Sequence, residues 1–315
     1  MSQNRPVVSV VITTYNYAQF LPTAVDSALS QTFGDLEVVI VNDGSTDNTD
    51  EVMSPYLADS RVKYIYQERS GQASAKNRGI ENSTGAYVAF LDADDYWLPE
   101  KLERQMPLFG QRQETGVVFC NAKWVDADNN PITMPKLQKP RRGAVAEHLI
   151  VDNFIPFSSS IVKRECFDRH GAFDKGLEMA IDWDLWLRLS AYYAFDFVDS
   201  PLMVYRVGHS GQMSKKREKR QEQSDLVMER FLNANPGLIS NGAISKARAY
   251  TYKNRCEYYQ RINRIESMAF GFKSLAIDPL QLSVLLLMLR NFFPTSMVRF
   301  LKVIRTRMAG TCKER

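Results

Sequence analysis

Apolar positions in the first hundred residues follow two rhythms. Short β-branched runs, Val7 to Thr13 (VVSVVIT), Leu36 to Val41 (LEVVIV), Val62 to Tyr66 and Tyr87 to Leu91, are each bounded by turn residues and predict buried strands. Between them, Phe20 to Gln31 carries Leu21, Ala24, Val25, Ala28 and Leu29 at helical spacing, and Asp47 to Tyr56 and Gln72 to Ser83 continue the alternation. Strand alternating with helix predicts an α/β fold with a mostly parallel, doubly wound sheet flanked by helices. Trp97 to Phe109 then reads as a further helix with Pro99 in its first turn.

In such a sheet ligands bind beyond the carboxyl ends of the strands. The polar punctuation falls there: Thr13, Thr14, Tyr15 and Asn16 after the first run, Asn42 to Asp47 (NDGSTD) after the second, and Asp92, Asp94 and Asp95 after the fourth. Three strand ends thus converge on one acidic site. Carboxylates this close repel one another unless something positive sits among them, so they are either solvated turn residues or holders of a cation. NDGSTD by itself bears two readings: Gly44 turning the chain and Ser45, Thr46 or Asp47 capping the next helix, or Asp43 accepting from a base or a ribose. GxGxxG and GxxxxGK[ST] are both missing, which argues against dinucleotide redox chemistry and P-loop hydrolysis.

At 315 residues the chain exceeds the size at which single cores stop growing, roughly 250 to 300 residues, so a smaller second unit is expected. The charge is uneven. Met1 to Tyr205 holds 19 Lys+Arg against 28 Asp+Glu, whereas Arg206 to Arg315 holds 21 against 8. We therefore expect a catalytic domain over residues 1–214 and a basic helical region over 215–315. Cys120, Cys166, Cys256 and Cys312 form neither a CxxC pair nor a disulfide framework, and the N-terminus has no signal-peptide pattern; both imply a cytoplasmic setting.

In order along the chain, VSVVITTYNYAQFLPTAVDSALSQTFGDLEVVIVNDGSTDNT, GQASAKNRGI and AYVAFLDADDYWLPEKLE resemble family 2 glycosyltransferases of the GT-A fold. The likeness is tight over Val7 to Glu103 and extends loosely to Ser214 through GAFDKGLEMAIDWDLWLRLS and PLMVYRVGHSGQMS. It implies a GT-A, Rossmann-like domain that transfers sugar, with inversion, from a nucleotide-sugar donor, UDP-linked, to an acceptor hydroxyl on a glycan or lipid-linked acceptor. Cell-surface polysaccharide or glycolipid synthesis is the implied setting. The DXD motif places Asp92 near the nucleoside and Asp94 on Mg²⁺ or Mn²⁺, hard ions that take oxygen ligands and share them with phosphate. Asp95 is left as a helix-entry cap or a supporting group.

The same resemblance assigns Thr13, Tyr15 and Asn16 to the first nucleotide-contacting loop, Asp43 to the base, and Arg78, in AKNRG, to the nucleotide pocket. Arg78 read alone is a solvated helical arginine. The expected acceptor base is Asp182, before WDLWLRL, although relatives carry an acidic residue where Ile181 stands. Asp182 as a plain N-cap is the alternative, and Asp184 has its own explanation in an i, i+4 pair with Arg188. His209, in VYRVGHSGQMS, matches a loop that closes over the diphosphate and would join Asp94 at the metal; read alone it is a loop histidine.

The run Lys215 to Arg220 (KKREKR) reads as a solvated face or as a surface that meets phosphate. Leu280 to Ile304 is the most apolar stretch of the basic region, yet Arg290, Asn291 and Pro294 interrupt it well short of the ~20 residues a membrane span needs. Two short helices on either side of Pro294 could lie in the interface of an anionic bilayer, at the inner face of the cell membrane, or pack as a cap. No nucleic-acid-binding module accompanies the basic charge. A non-catalytic nucleotide- or glycan-binding protein on the same fold is the other function class.

Overall fold

The computed structural model describes residues 5–133, 139–209, 211–212 and 216–291. All four predicted strands form, as β1 (Val8–Thr14), β2 (Leu36–Asp43), β3 (Val62–Gln67) and β4 (Tyr87–Asp92). Helices α1 (Leu21–Leu29), α2 (Thr49–Met53) and α3 (Gln72–Glu81) fall between them. β1 pairs in parallel with both β2 and β4, and β2 with β3. β1, β2 and β4 are buried on both faces along most of their length, which is why they read as near-continuous apolar runs, whereas β3, at the edge of the sheet, has no fully buried residue. The fit of α3 on β1 depends on Gly79, where an added Cβ would stand 2.3 Å from Val11 Cγ1.

Beyond β4 the chain departs from the expected doubly wound pattern. Residues 96–97 form a short strand, β5 (Tyr96–Trp97), where a helix was expected to start. Trp97 is drawn into the sheet by long-range partners: it pairs with Met203, and its indole N–H donates to the Ser158 carbonyl at 2.7 Å. The helical segment behind it begins only at α4 (Lys101–Gln105) and continues as α5 (Leu108–Gln111). Then come β6 (Thr115–Val125), α6 (Ala146–Leu149), β7 (Ile161–Lys163), α7 (Arg164–His170), α8 (Ile181–Ser190) and β8 (Ala194–Arg206).

The result is a mixed eight-stranded sheet in the order β3-β2-β1-β4-β7-β6-β8-β5. β7 runs antiparallel to β4 and β6, β8 runs parallel to β6, and β5 closes the edge antiparallel to β8. The parallel arrangement predicted from the alternation therefore accounts for one half of the sheet. Ile12, Val38, Ile40, Leu91, Val118 and Met203 share its main core with Leu21 and Val25 of α1.

Contacts divide the chain into two compact units, Met1–Leu149 with Asn153–Leu238, and Ile150–Asp152 with Ile239–Arg315. The first unit thus includes α9 (Arg217–Ala234), which the boundary at residue 214 had assigned to the basic region; Val227, Met228 and Phe231 are its buried side chains. The second unit contains α10 (Asn241–Tyr259), α11 (Arg264–Ile277) and α12 (Leu282–Arg290). Its small core joins Cys256 to Val284, Leu287 and Met288. Leu282, Leu285 and Leu289 of α12 are exposed, as are Phe272 and Ile265 of α11. Among the described residues no helix is long and apolar enough to cross a membrane. The second of the two helices expected around Pro294 lies outside the described residues.

Candidate active site

The three polar strand ends meet as expected, and they are fastened to one another. Asn16 has φ 56, a left-handed conformation that asparagine tolerates better than most residues. Its N–H donates to Ser45 Oγ at 3.0 Å, and its side-chain oxygen accepts from Thr46 N–H at 2.8 Å. Asp47 likewise accepts from Ala18 N–H at 3.0 Å. The loops after β1 and β2 are thereby clasped together. Tyr15 lies beneath the Arg69 guanidinium, 3.4 Å from its ring centroid. Gly44 has φ +73, and a Cβ there would come 2.7 Å from Arg69 N, so glycine lets these two loops approach.

Asp43 is buried and holds the loop after β3: its carboxylate accepts from Gln67 Nε2 at 2.7 Å, Ser70 N–H at 2.8 Å and Gly71 N–H at 2.9 Å. Three donors on two oxygens leave at least one acceptor position open for a ligand.

The DXD turn is the centre of the site. Asp92 ends β4 and pairs with Lys76 Nζ at 2.7 Å, while the same ammonium donates to Thr13 Oγ1 at 3.2 Å and lies 4.4 Å from the centroid of the Phe157 ring. Asp94 meets His209, whose Nε2 is 2.8 Å from its carboxylate. His209 is buried between aromatic rings, with centroids 5.3 Å from Tyr17 and 5.1 Å from Phe20. Asp95 turns inward, accepting the Ser158 hydroxyl at 2.5 Å and the Arg206 N–H at 3.0 Å; it caps no helix and instead anchors the turn. Ser158 also accepts the Asp92 N–H at 3.1 Å, and the Arg206 guanidinium donates to the Asp94 carbonyl at 3.1 Å.

Negative charge is in excess here. Burial raises the Asp92 carboxyl, Lys76 offsets that in part, and Asp94 and Asp182 push it up again. Burial and the neighbouring Asp94 and Asp92 hold Asp95 well above the ordinary carboxylate range. The Tyr17 and Tyr205 hydroxyls are raised by burial first and then by the same aspartates. Among the described residues Lys76, the Arg206 guanidinium and the His209 imidazole stand against the four carboxylates Asp92, Asp94, Asp95 and Asp182, so the site has room for a further cation. Among the described residues no group of three or more His, Cys, Asp or Glu side chains forms a ready-made metal cage. Asp94 and His209 are the residues that could supply two ligands to an ion that takes its remaining positions from phosphate oxygens and water.

Asp182 stands in the first turn of α8. The cap position is taken by Ala180, and the Asp182 carboxylate accepts from Asn153 Nδ2 at 2.8 Å, so the N-cap alternative does not describe it. Asp184 pairs with Arg188 at 2.9 Å, as its spacing predicted, and Arg188 also donates to the carbonyls of His170, Gly171 and Ala172.

The basic residue of α3 that reaches Thr13 and Asp92 is Lys76, two positions before the expected Arg78. Arg78 is exposed on α3, and side chains two apart on a helix do not share a face. A signal was present: Ala73, Lys76 and Ile80 share the buried stripe of α3, and a lysine on an apolar stripe needs a partner. Ser158, Asn153 and Arg206 carried no comparable signal, because their partners are 29 to 111 residues away.

The profile of the family described as Glycosyl transferase family 2 matches residues 9–171. An uncharacterised glycosyltransferase of Nostoc sp. is 31% identical over 274 residues, covering 81% of this chain and 83% of the relative. The chondroitin synthase of Pasteurella multocida is 29% identical over 275 residues, 84% of this chain but 27% of that much longer protein. Among solved structures, S. aureus TarS 1–349 in complex with UDP-GlcNAc superposes with a TM-score of 0.67 at 20% identity, over 90% of this chain and 86% of that one. A mannosyltransferase of Pyrobaculum calidifontis in complex with GDP-Man and Mn²⁺ gives 0.61 at 19% identity, over 91% and 79%. Sheet, site and relatives define a glycosyltransferase of the GT-A fold. The chain belongs to glycosyl transferase family 2.

Proposed function

We propose that this glycosyltransferase is metal-dependent and inverting, and that it moves a sugar from a UDP-linked donor to a hydroxyl of a glycan or lipid-linked acceptor in cell-surface polysaccharide or glycolipid synthesis. The observation that carries the reading is the convergence of Lys76, Asp92, Asp94 and His209 at the ends of β1 and β4, with the Asp182 charge near enough to raise the Asp92 carboxyl. Thr13, Tyr15, Asn16 and Asp43 border the nucleotide side, and Asp92 receives the ribose. Asp94 and His209 would hold Mg²⁺ or Mn²⁺, which when bound neutralises diphosphate charge as the glycosidic C–O bond breaks. Asp182 accepts the acceptor hydroxyl proton; the oxygen then attacks the anomeric carbon from the side opposite the departing nucleoside diphosphate, which inverts that carbon. The GDP-Man and UDP-GlcNAc complexes of the fold neighbours support a nucleotide-sugar donor, and the Mn²⁺ in one of them supports the metal.

We place the enzyme in the cytoplasm, at the inner face of the membrane. The exposed leucines of α12 and the basic balance of Arg206 to Arg315 support peripheral contact with anionic lipid.

A thermal-shift screen of nucleoside diphosphates and sugar nucleotides, with Mn²⁺ and with chelator, followed by assay of nucleoside diphosphate release, tests the reading. Metal-dependent stabilisation with turnover is expected. Stabilisation without turnover against any sugar nucleotide would instead make the chain a binding protein on the same fold.

A further inference from the structure

Helix α9 directs one stripe, Lys219, Gln223, Val227 and Arg230, toward the segment that enters α8. Lys219 pairs with the Glu178 carboxylate, and Arg230 with Asp174 at 3.0 Å. Both pairs are largely solvated and therefore weak. Gln223 makes the stronger attachment. Its side-chain oxygen accepts two successive backbone N–H groups, from Glu178 at 3.0 Å and Met179 at 2.6 Å, while Gln72 of α3 holds the Glu178 carbonyl at 2.6 Å.

The residue that follows is Ala180, with φ 57 and ψ 22. A left-handed conformation is unfavourable for alanine and persists where the surroundings fix the chain on both sides. Downstream the fixing is done by α8, whose Asp184 N–H donates to the Ala180 carbonyl at 3.0 Å. Upstream it is done by Gln223 on the two amides, with Gln72 on the Glu178 carbonyl. Two residues beyond Ala180 stands Asp182, and the angle at which α8 begins sets where that carboxylate points.

We propose that Gln223 is a positioning residue for the acceptor-side base: through the Glu178 and Met179 amides it holds the left-handed entry to α8 that aims Asp182 into the site. The basic run before it, in which Lys219 lies, is then part of a brace and not only a solvated face. The inference rests on the reading of Asp182 as the base.

The test uses full-length protein and Mn²⁺, with UDP-N-acetylglucosamine or GDP-mannose, whichever the wild-type chain cleaves, and reads nucleoside diphosphate release. Gln223→Met keeps length and removes the acceptor; Gln223→Glu keeps an acceptor for both N–H groups. We expect Gln223→Met to lower kcat at least tenfold while KM for the donor and Kd for the free nucleoside diphosphate stay within twofold. Gln223→Glu should retain most of the rate. Amide exchange at Glu178 and Met179 should accelerate in the first variant and not in the second. In the Asp182→Asn background, Gln223→Met should have no further effect, because the two act through one another. Should Gln223→Met be insoluble, Gln223→Asn, one methylene shorter, takes its place. A methionine variant with faster amide exchange but wild-type kcat overturns the proposal, as does equal loss in both variants or a loss that tracks donor binding. Full activity in Asp182→Asn alone would overturn the base reading, and this inference with it; full activity in Gln223→Met alone overturns only this inference.

Discussion

In the half of the sheet formed by β3, β2, β1 and β4, each strand is short, eight residues or fewer, and the polar loops after β1, β2 and β4 carry the candidate ligands. In the half formed by β7, β6, β8 and β5, two strands are 11 and 13 residues long and mix buried with exposed positions, and the other two are three and two residues long. The first half supplies Thr13, Asp43, Lys76 and Asp92. The second supplies Arg206 and the nearby Ser158, which lock the DXD turn, and leads into His209, which meets Asp94. A binding motif can be local because backbone loops make it. The groups that hold and complete it come from far along the chain, where only tertiary packing brings them in.

The strongest break in this comparison is at the junction of the halves. Asp94→Ala removes the carboxylate that meets His209, and we expect transfer to fall by about a thousandfold or more, as for loss of a group that stabilises developing charge. Calorimetry should show UDP binding to the variant equally with Mn²⁺ and with chelator while wild type needs the metal. Metal-independent affinity in the wild type would remove Asp94 from that role. Next is Asp182→Asn, for which transfer should drop about 10²- to 10⁴-fold with donor affinity within twofold, because a general base acts on the acceptor proton alone. Retained transfer would exclude it as the base.

A smaller effect separates two residues two positions apart. Lys76→Met strips Asp92 of its ion partner and Thr13 of a donor, and hydrogen bonds to charged groups are worth about 1.5 to 3 kcal/mol, so donor affinity should weaken by about ten- to a hundredfold. Arg78→Ala, on the exposed face, should leave it within twofold. The reverse outcome would restore Arg78 to the nucleotide pocket.

Lys76 also marks how far the sequence could be read. The four strands, the acidic strand ends, the Asp184–Arg188 pair and the DXD turn were legible because period, turn chemistry and i, i+4 spacing are local. Arg78 was singled out by the family resemblance, whereas the burial of Lys76 follows from which face of α3 lies on β1. Trp97 read as helical since nothing nearby reveals Met203 as its strand partner. The Asp95 carboxylate was left between a cap and a supporting group because Ser158 and Arg206, 63 and 111 residues on, are invisible to spacing. Residues 215–220 fell in the expected basic region beyond residue 214, although α9, which begins at Arg217, belongs to the first unit and buries Val227 and Phe231.

The last test concerns stability, at the seam where α4 backs the mixed half. Lys101 is fully buried, its amine has no hydrogen-bond partner among the described residues, and it lies 3.9 Å from the centroid of the Trp97 ring. Desolvation lowers its pKa from 10.5 to about 7, so the cation–π contact, worth about 2 kcal/mol when desolvated, does not compensate for lost water. Between pH 7 and 10.5 the unfolded chain carries this proton and the folded chain does not, so stability rises with pH across that window and is at its lowest level below it. Lys101→Met removes the buried amine and keeps an unbranched apolar stem. Each tenfold weakening of proton affinity on folding corresponds to about 1.4 kcal/mol, so the variant should gain about 2 to 4 kcal/mol at pH 7 and lose the rise toward about pH 10. Urea unfolding at about pH 7 and about pH 9.5, either side of most of that rise and with a thiol reductant present, measures both. A variant less stable than wild type at neutral pH would mean that the amine is satisfied in the fold, and that this lysine, like Lys76 with Asp92, has a polar partner.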